Sequence, residues 1–147
     1  MLIGLACIAG GASVPGDRWF EDVTRRAGVA NKHTNRSFKN PYAHIMAGYT
    51  ALGASAAVAD YDGDGYDDVF VTDSMEGGKN HLYHNNGNLT FTDVAEKAGV
   101  ANGNDDRNAS SDSLWLDFNN DGRPDLLVVR FGQNSCSRTW AAANFAR

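Results

Sequence analysis

Apolar residues along the chain fall in short runs, and Asp, Asn and Gly crowd the spaces between them. Runs this short, bounded by turn residues, predict strands rather than amphipathic helices. GASAAVA (53–59) and SLWL (113–116) read as strands that lead into acidic stretches. VFVT (69–72) and LLVV (126–129) read as strands that leave them. The small side chains of 53–59 suit a crowded inner strand. HLYHNNGNLTFTDV (81–94) alternates, turns through Asn-Asn-Gly-Asn and alternates again, which predicts a hairpin. AEKAGV (95–100) predicts a short turn closed by Gly99. Residues 31–52 carry no clear period and read as an insertion, and 102–110 read as loop.

The pattern repeats. ADYDGDGYDDVFV (59–71) returns as LDFNNDGRPDLLV (116–128), which places Asp60 and Asp117 57 positions apart. FEDVTRRAGVA (20–30) returns as FTDVAEKAGVA (91–101), 71 positions on, so loop lengths vary between copies. A module of roughly 60 residues fits a four-stranded propeller blade better than a helical hairpin repeat.

The acidic stretches have the spacing of a cation loop. Ca²⁺ takes six to eight oxygens, and a tight loop can supply them from alternate residues around a Gly. The first copy places Asp60, Asp62 and Asp64 at positions 1, 3 and 5, Gly65 at 6, the Tyr66 carbonyl at 7 and Asp68 at 9. The second places Asp117, Asn119, Asp121, Gly122, the Arg123 carbonyl and Asp125 at the same positions. A helix-loop-helix site needs Glu at position 12 and an exit helix. Here position 12 is Val71 or Val128, Pro124 precedes the last ligand, and β-type runs follow. The loops therefore join two strands, and dockerin-like loops fail for the same reason. One such stretch would pass as a solvated turn; two copies with oxygen donors at 1, 3, 5 and 9 favour a bound cation. The all-oxygen set is hard, which suits Zn²⁺ and Cu²⁺ badly, and Mg²⁺ demands a tighter octahedron.

Charge agrees. The chain has 147 residues, 42% of them hydrophobic, and a net charge of −5. One domain is expected, and nucleic acid is excluded as a partner because phosphate binding needs a basic surface. Two bound Ca²⁺ would take the formal charge from −5 to −1. Cys7 and Cys136 make no disulfide framework by themselves. The opening MLIGLACIAGGASVPGDRW places an apolar run before small residues, Pro15 and charge. Residues 1–18 read as a signal-like segment, although no basic residue precedes the apolar run; a buried first strand is the alternative. No run is long enough for a transmembrane helix.

D-x-D-G-D-G-x-x-D followed by a β run and then LYHNNGNLTFTDVAEKAGV resembles the FG-GAP/VCBS repeat, the Ca²⁺-loop blade of integrin α-subunit propellers and many secreted bacterial proteins. The chain is most similar to the cartilage-acidic-protein-like group that carries an ASPIC/UnbV domain at its C-terminus. There an opening F-x-D-V…AGV precedes an insertion with His and Asn, here His33 and Asn35, and then the first loop. The resemblance covers residues 19–135. It implies an all-β fold, about two blades of four antiparallel strands each, with Ca²⁺ as cofactor and a secreted, periplasmic or cell-surface location.

Propellers need four to eight blades, so the expectation is a fragment of a longer protein. SCSRTWAAANFAR replaces the hairpin that should follow LLVVRFGQN, and residues 136–147 read as a tail translated out of frame, which the coding DNA decides. Two function classes stay open. One is an extracellular binding or adhesion module whose partner is a protein or carbohydrate. The other is a propeller enzyme acting on carbohydrate or in natural-product biosynthesis, as related propellers do. No G-x-S-x-G, H-E-x-x-H or CxxC motif occurs, and no catalytic residue is assigned. His81 and His84 lie three apart on a strand and face opposite sides, so no joint histidine site is expected. Trp115, Phe70, Phe91 and Tyr83 read as blade core. Three Asn-x-Ser/Thr sites (Asn35, Asn88, Asn108) fit the glycosylation pattern, and turn chemistry explains them equally well.

Overall fold

A computed structural model describes residues 20–37, 39, 41–45, 53–132 and 135–137. The signal-like segment 1–18, the end of the insertion at 46–52 and residues 138–147 of the tail lie outside the described residues.

Two antiparallel sheets form. The first is a meander of β1 (Ala56–Ala59), β2 (Asp68–Val71), β3 (His81–Asn85) and β4 (Phe91–Asp93), in that spatial order. The second holds β5 (Ala109–Leu116), β6 (Asp125–Phe131) and β7 (Ser135–Ser137). The register pairs Ala59 with Asp68 and Leu116 with Asp125, so each acidic stretch is the corner between two neighbouring strands. The fold is all-β, and the first sheet is a four-stranded unit of propeller-blade type. Two boundaries differ from the sequence expectation. β1 starts at Ala56 rather than at 53, because Gly53 and Ser55 are engaged with Thr72: the Thr72 hydroxyl donates to the Gly53 carbonyl, and the Ser55 N–H donates to that hydroxyl. β5 starts at Ala109, inside the stretch read as loop, because β6 runs on to Phe131 and offers it a partner.

The F-x-D-V…AGVA copies share local geometry. Thr24–Ala27 and Ala95–Ala98 are single helical turns, ended by Gly28 and Gly99 in the left-handed region at φ 80° and 75°. Asp22 and Asp93 each accept the backbone N–H two residues on. Val29 and Val100 each donate back to the first residue of the turn. The copies differ upstream. Phe91–Asp93 pairs with β3, whereas Phe20 is 68% exposed and has no strand neighbour among the described residues. A strand needs a partner, so the near-copy forms a strand at one place and not at the other.

The sheets pack face to face through Phe70, Leu82, Leu126 and Val128, with Ala95, Ala98, Val100 and Ala101 filling in from the turn after β4. Phe70 and Leu82 are register partners and fully buried, each contributing about 1.5–3 kcal/mol of transfer free energy. Trp115, from β5 of the second sheet, stacks on Tyr61 of the first acidic loop, with ring centroids 6.2 Å apart and planes 14° apart. Phe70 and Tyr83 are buried, as expected, and the Tyr83 hydroxyl also donates to Asn31 at 3.1 Å, whereas Trp115 and Phe91 are only half-buried, Trp115 packing against the cluster from its edge.

A buried polar network joins the opposite end of the sheets. Asn80 donates to Ser110 Oγ and accepts from the Asp73 N–H, while Asn104 accepts from the Ser110 N–H at 2.6 Å. Part of the insertion closes over it. The Thr34 N–H donates to Asp73, and the buried Arg36 guanidinium donates to the carbonyls of Asp105 and Asn108.

Candidate metal centre

In the first loop each acidic side chain folds the backbone around itself. Asp60 Oδ1 accepts the N–H of Gly63 at 2.8 Å and of Asp64 at 3.1 Å, and Oδ2 accepts that of Gly65 at 2.9 Å. Asp62 Oδ1 accepts the Asp64 N–H, and Asp64 Oδ1 accepts the Tyr66 N–H. Asp68 closes the corner by accepting the Tyr61 N–H at Oδ2, 3.3 Å away. The second loop repeats all of these bonds except the one from position 4, Gly63, to Asp60. Asp117 accepts from Asp121 and Gly122, Asn119 from Asp121, Asp121 from Arg123, and Asp125 Oδ2 from Phe118, again at 3.3 Å. Such bonds leave every carboxylate at least one oxygen with a free lone pair, even Asp60, whose Oδ1 takes two N–H groups and whose Oδ2 takes one.

Two positions per loop need a left-handed backbone. Position 6 is Gly65 or Gly122, at φ 90° and 82°. Position 4 is Gly63 at φ 79° in one loop and Asn120 at φ 59° in the other. Asn tolerates that region better than other side chains do. The Gly-to-Asn exchange at position 4 was the sequence signal for this second requirement, which the reading by ligand positions passed over.

The structure brings the expected side chains together in the first loop. One oxygen from each of Asp60, Asp62 and Asp64 lies within 4.8 Å of the others. Asp68 is fully buried and Asp67 exposed, as alternation requires. Burial pushes the Asp68 carboxyl up to about 6, against the pull of the Asn85 and Tyr61 N–H groups. Asp125, at the same position of the second loop, is also fully buried. Tyr66 and Arg123 follow the position 5 carboxylate in each loop, leaving their carbonyls as the position 7 donors. A buried carboxylate with other carboxylates alongside is costly unless a counter-charge is present. The residues therefore fit a hard divalent cation at the first loop. At the second, Asn119 replaces a carboxylate and the Arg123 guanidinium lies 3.0 Å from Asp121 Oδ2. Hydrogen bonds from that guanidinium hold the Asp121 carboxyl below the usual range.

Sequence reasoning missed two residues on β3. Asn85 donates its backbone N–H to Asp68 Oδ1 at 2.7 Å and its side chain to the Asp67 carbonyl. His84 places Nδ1 3.4 Å from Asp62 Oδ2 and 3.3 Å from Asp68 Oδ1. Their only sequence signal is register: Val69 pairs with Tyr83, so the next residue along β3 stands beside Asp68. His81 turns the other way and bonds Asp93 at 2.7 Å, as the strand period predicts. Among the described residues no helix is long and apolar enough to cross a membrane.

Comparison with known proteins accounts for the two loops. Over 80 residues, 54% of this chain, the sequence is 39% identical to cartilage acidic protein 1 of Mus musculus. The match spans 11% of that protein's length. The family model described as "FG-GAP-like repeat" matches residues 60–128, from the first ligand position of the first loop to the strand that leaves the second. Residues 60–128, which hold both acidic corners, are thus similar to the FG-GAP-like repeat.

Proposed function

We propose that the chain is a calcium-binding β-propeller repeat module, with Ca²⁺ held at 60–68 by Asp60, Asp62, Asp64, the Tyr66 carbonyl and Asp68. At 117–125 it is held by Asp117, Asn119, Asp121, the Arg123 carbonyl and Asp125. The observation that carries this is the recurrence of five hydrogen bonds of the first corner in the second, each corner ending in a fully buried Asp. Calcium supplies the positive charge that these carboxylates lack, and so ties the end of one strand to the start of the next. The corners keep neighbouring blades in register, because Tyr61 leaves the first loop to stack on Trp115 of the second sheet. Exposed apolar residues on strands, Val58, Leu114 and Phe131, suit a longer propeller in which further blades cover them.

The module works outside the cell, where free Ca²⁺ suits weak sites, as a binding or adhesion element for a protein or carbohydrate. Calorimetric titration of the chain should find two Ca²⁺ per molecule, and Asp60→Ala and Asp117→Ala should each lose one. Heats that match buffer dilution, with a melting temperature indifferent to chelator, would sink the proposal.

A further inference from the structure

The loop alone offers only oxygen, but the fold adds a nitrogen. We infer that His84 Nδ1 is a ligand at the first loop, which therefore accepts a first-row divalent ion (Mn²⁺, Co²⁺ or Zn²⁺) through Asp62, Asp68 and His84. The inference rests on the reading of 60–68 as a cation loop. Its own support is geometric.

One ligating atom from each of Asp62, Asp68 and His84 lies within 4.8 Å of the others. Nδ1 is buried and has no hydrogen-bond partner, although it is 3.4 and 3.3 Å from two carboxylate oxygens. Those separations are within reach, so it is direction that fails: a proton on Nδ1 would aim at neither oxygen. A buried ring nitrogen without a partner is a cost that a native structure must offset. A metal ion between the three atoms takes its lone pair. The two edges at Nδ1 suit one, since ligands 3.3–3.4 Å apart in a tetrahedral shell lie about 2.0–2.1 Å from its centre, the usual Zn–N and Zn–O distance. Imidazole shifts preference toward the borderline ions, which the hard oxygen set alone does not favour. The second loop has no matching expectation. Leu126 pairs with Ser137 as Val69 pairs with Tyr83, so the counterpart of His84 is position 138, beyond the described residues.

The test uses the full chain titrated with Co²⁺, read by visible absorption, and with Mn²⁺, read by electron paramagnetic resonance and nitrogen couplings. Wild type should take one Co²⁺ per chain with a nitrogen ligand. His84→Gln should weaken Co²⁺ at least tenfold, since loss even of a residue supporting a ligand costs 10–100-fold. Should His84→Gln bind Co²⁺ as tightly as wild type, or should wild-type Mn²⁺ show no nitrogen coupling, the inference fails. The nitrogen coupling needs no variant, so it decides even if His84→Gln misfolds. Two Ca²⁺ bound with no nitrogen signal would overturn this inference and keep the proposed function. Co²⁺ bound through His84 with no Ca²⁺ uptake would do the reverse.

Discussion

Asp68 allows a test in which the sign of the effect carries the information. Its side chain is fully buried, and burial pushes its carboxyl up to about 6. In the unfolded chain the same group titrates near 3.9. A raised folded value means that the folded state prefers the protonated form. This contribution to stability is fully present below about pH 3.9 and is lost as pH rises through about 6. A gap of about two units corresponds to about 3 kcal/mol at pH 7.5, and roughly half is recovered by pH 5. In chelator, the stability of wild type relative to Asp68→Asn should therefore rise as the pH is lowered from 7.5 to 5. With Ca²⁺ present the difference should run the other way, because the ion needs the carboxylate and protons compete with it. Urea unfolding at four or five pH values, with and without Ca²⁺, reads both trends. Asp68→Asn keeps the shape and one acceptor, so the carboxylate's titration is what the comparison isolates. Parallel pH curves for the two proteins in chelator would refute the claim that this buried charge is an uncompensated cost.

Other outcomes follow from the packing and the loop backbone. Leu126→Ala, at a fully buried position between the sheets, should cost about 2–5 kcal/mol in urea unfolding; a cost under 1 kcal/mol would mean that the sheets do not pack through this residue. A double-mutant cycle on Tyr61 and Trp115, which stack at 6.2 Å, should give a coupling of about 0.5–1.5 kcal/mol, and zero coupling would separate the loop from the neighbouring sheet. Gly65→Ala, at φ 90°, should destabilise by about 1–3 kcal/mol and weaken Ca²⁺ binding, whereas Asn120→Gly, at φ 59°, should be neutral or stabilising. Equal effects of the last two on the Ca²⁺ titration would contradict the backbone account.

Much of this protein is written locally. Alternating apolar runs broken by Asn, Asp and Gly determined that it is all-β, and two copies of one loop determined that it is built from repeats. Ligand positions 1, 3, 5 and 9 and the glycine at 6 could be read because a tight loop satisfies itself: Asp60 and Asp117 bond amides only three to five residues away. The turn at Gly99 was legible for the same reason. Whatever depends on a strand's neighbour was not. Phe20–Val23 and Phe91–Val94 are near copies, yet only the second pairs in a sheet, because pairing needs a partner that composition does not record. β5 began earlier than its apolar run suggested because β6 was there to receive it. His84 looked like one more strand residue; register alone set it beside Asp68, and burial alone gave Asp68 its raised carboxyl. Sequence spacing fixes what lies within a few residues, while a cross-strand neighbour and the dielectric around it exist only once the sheets have formed.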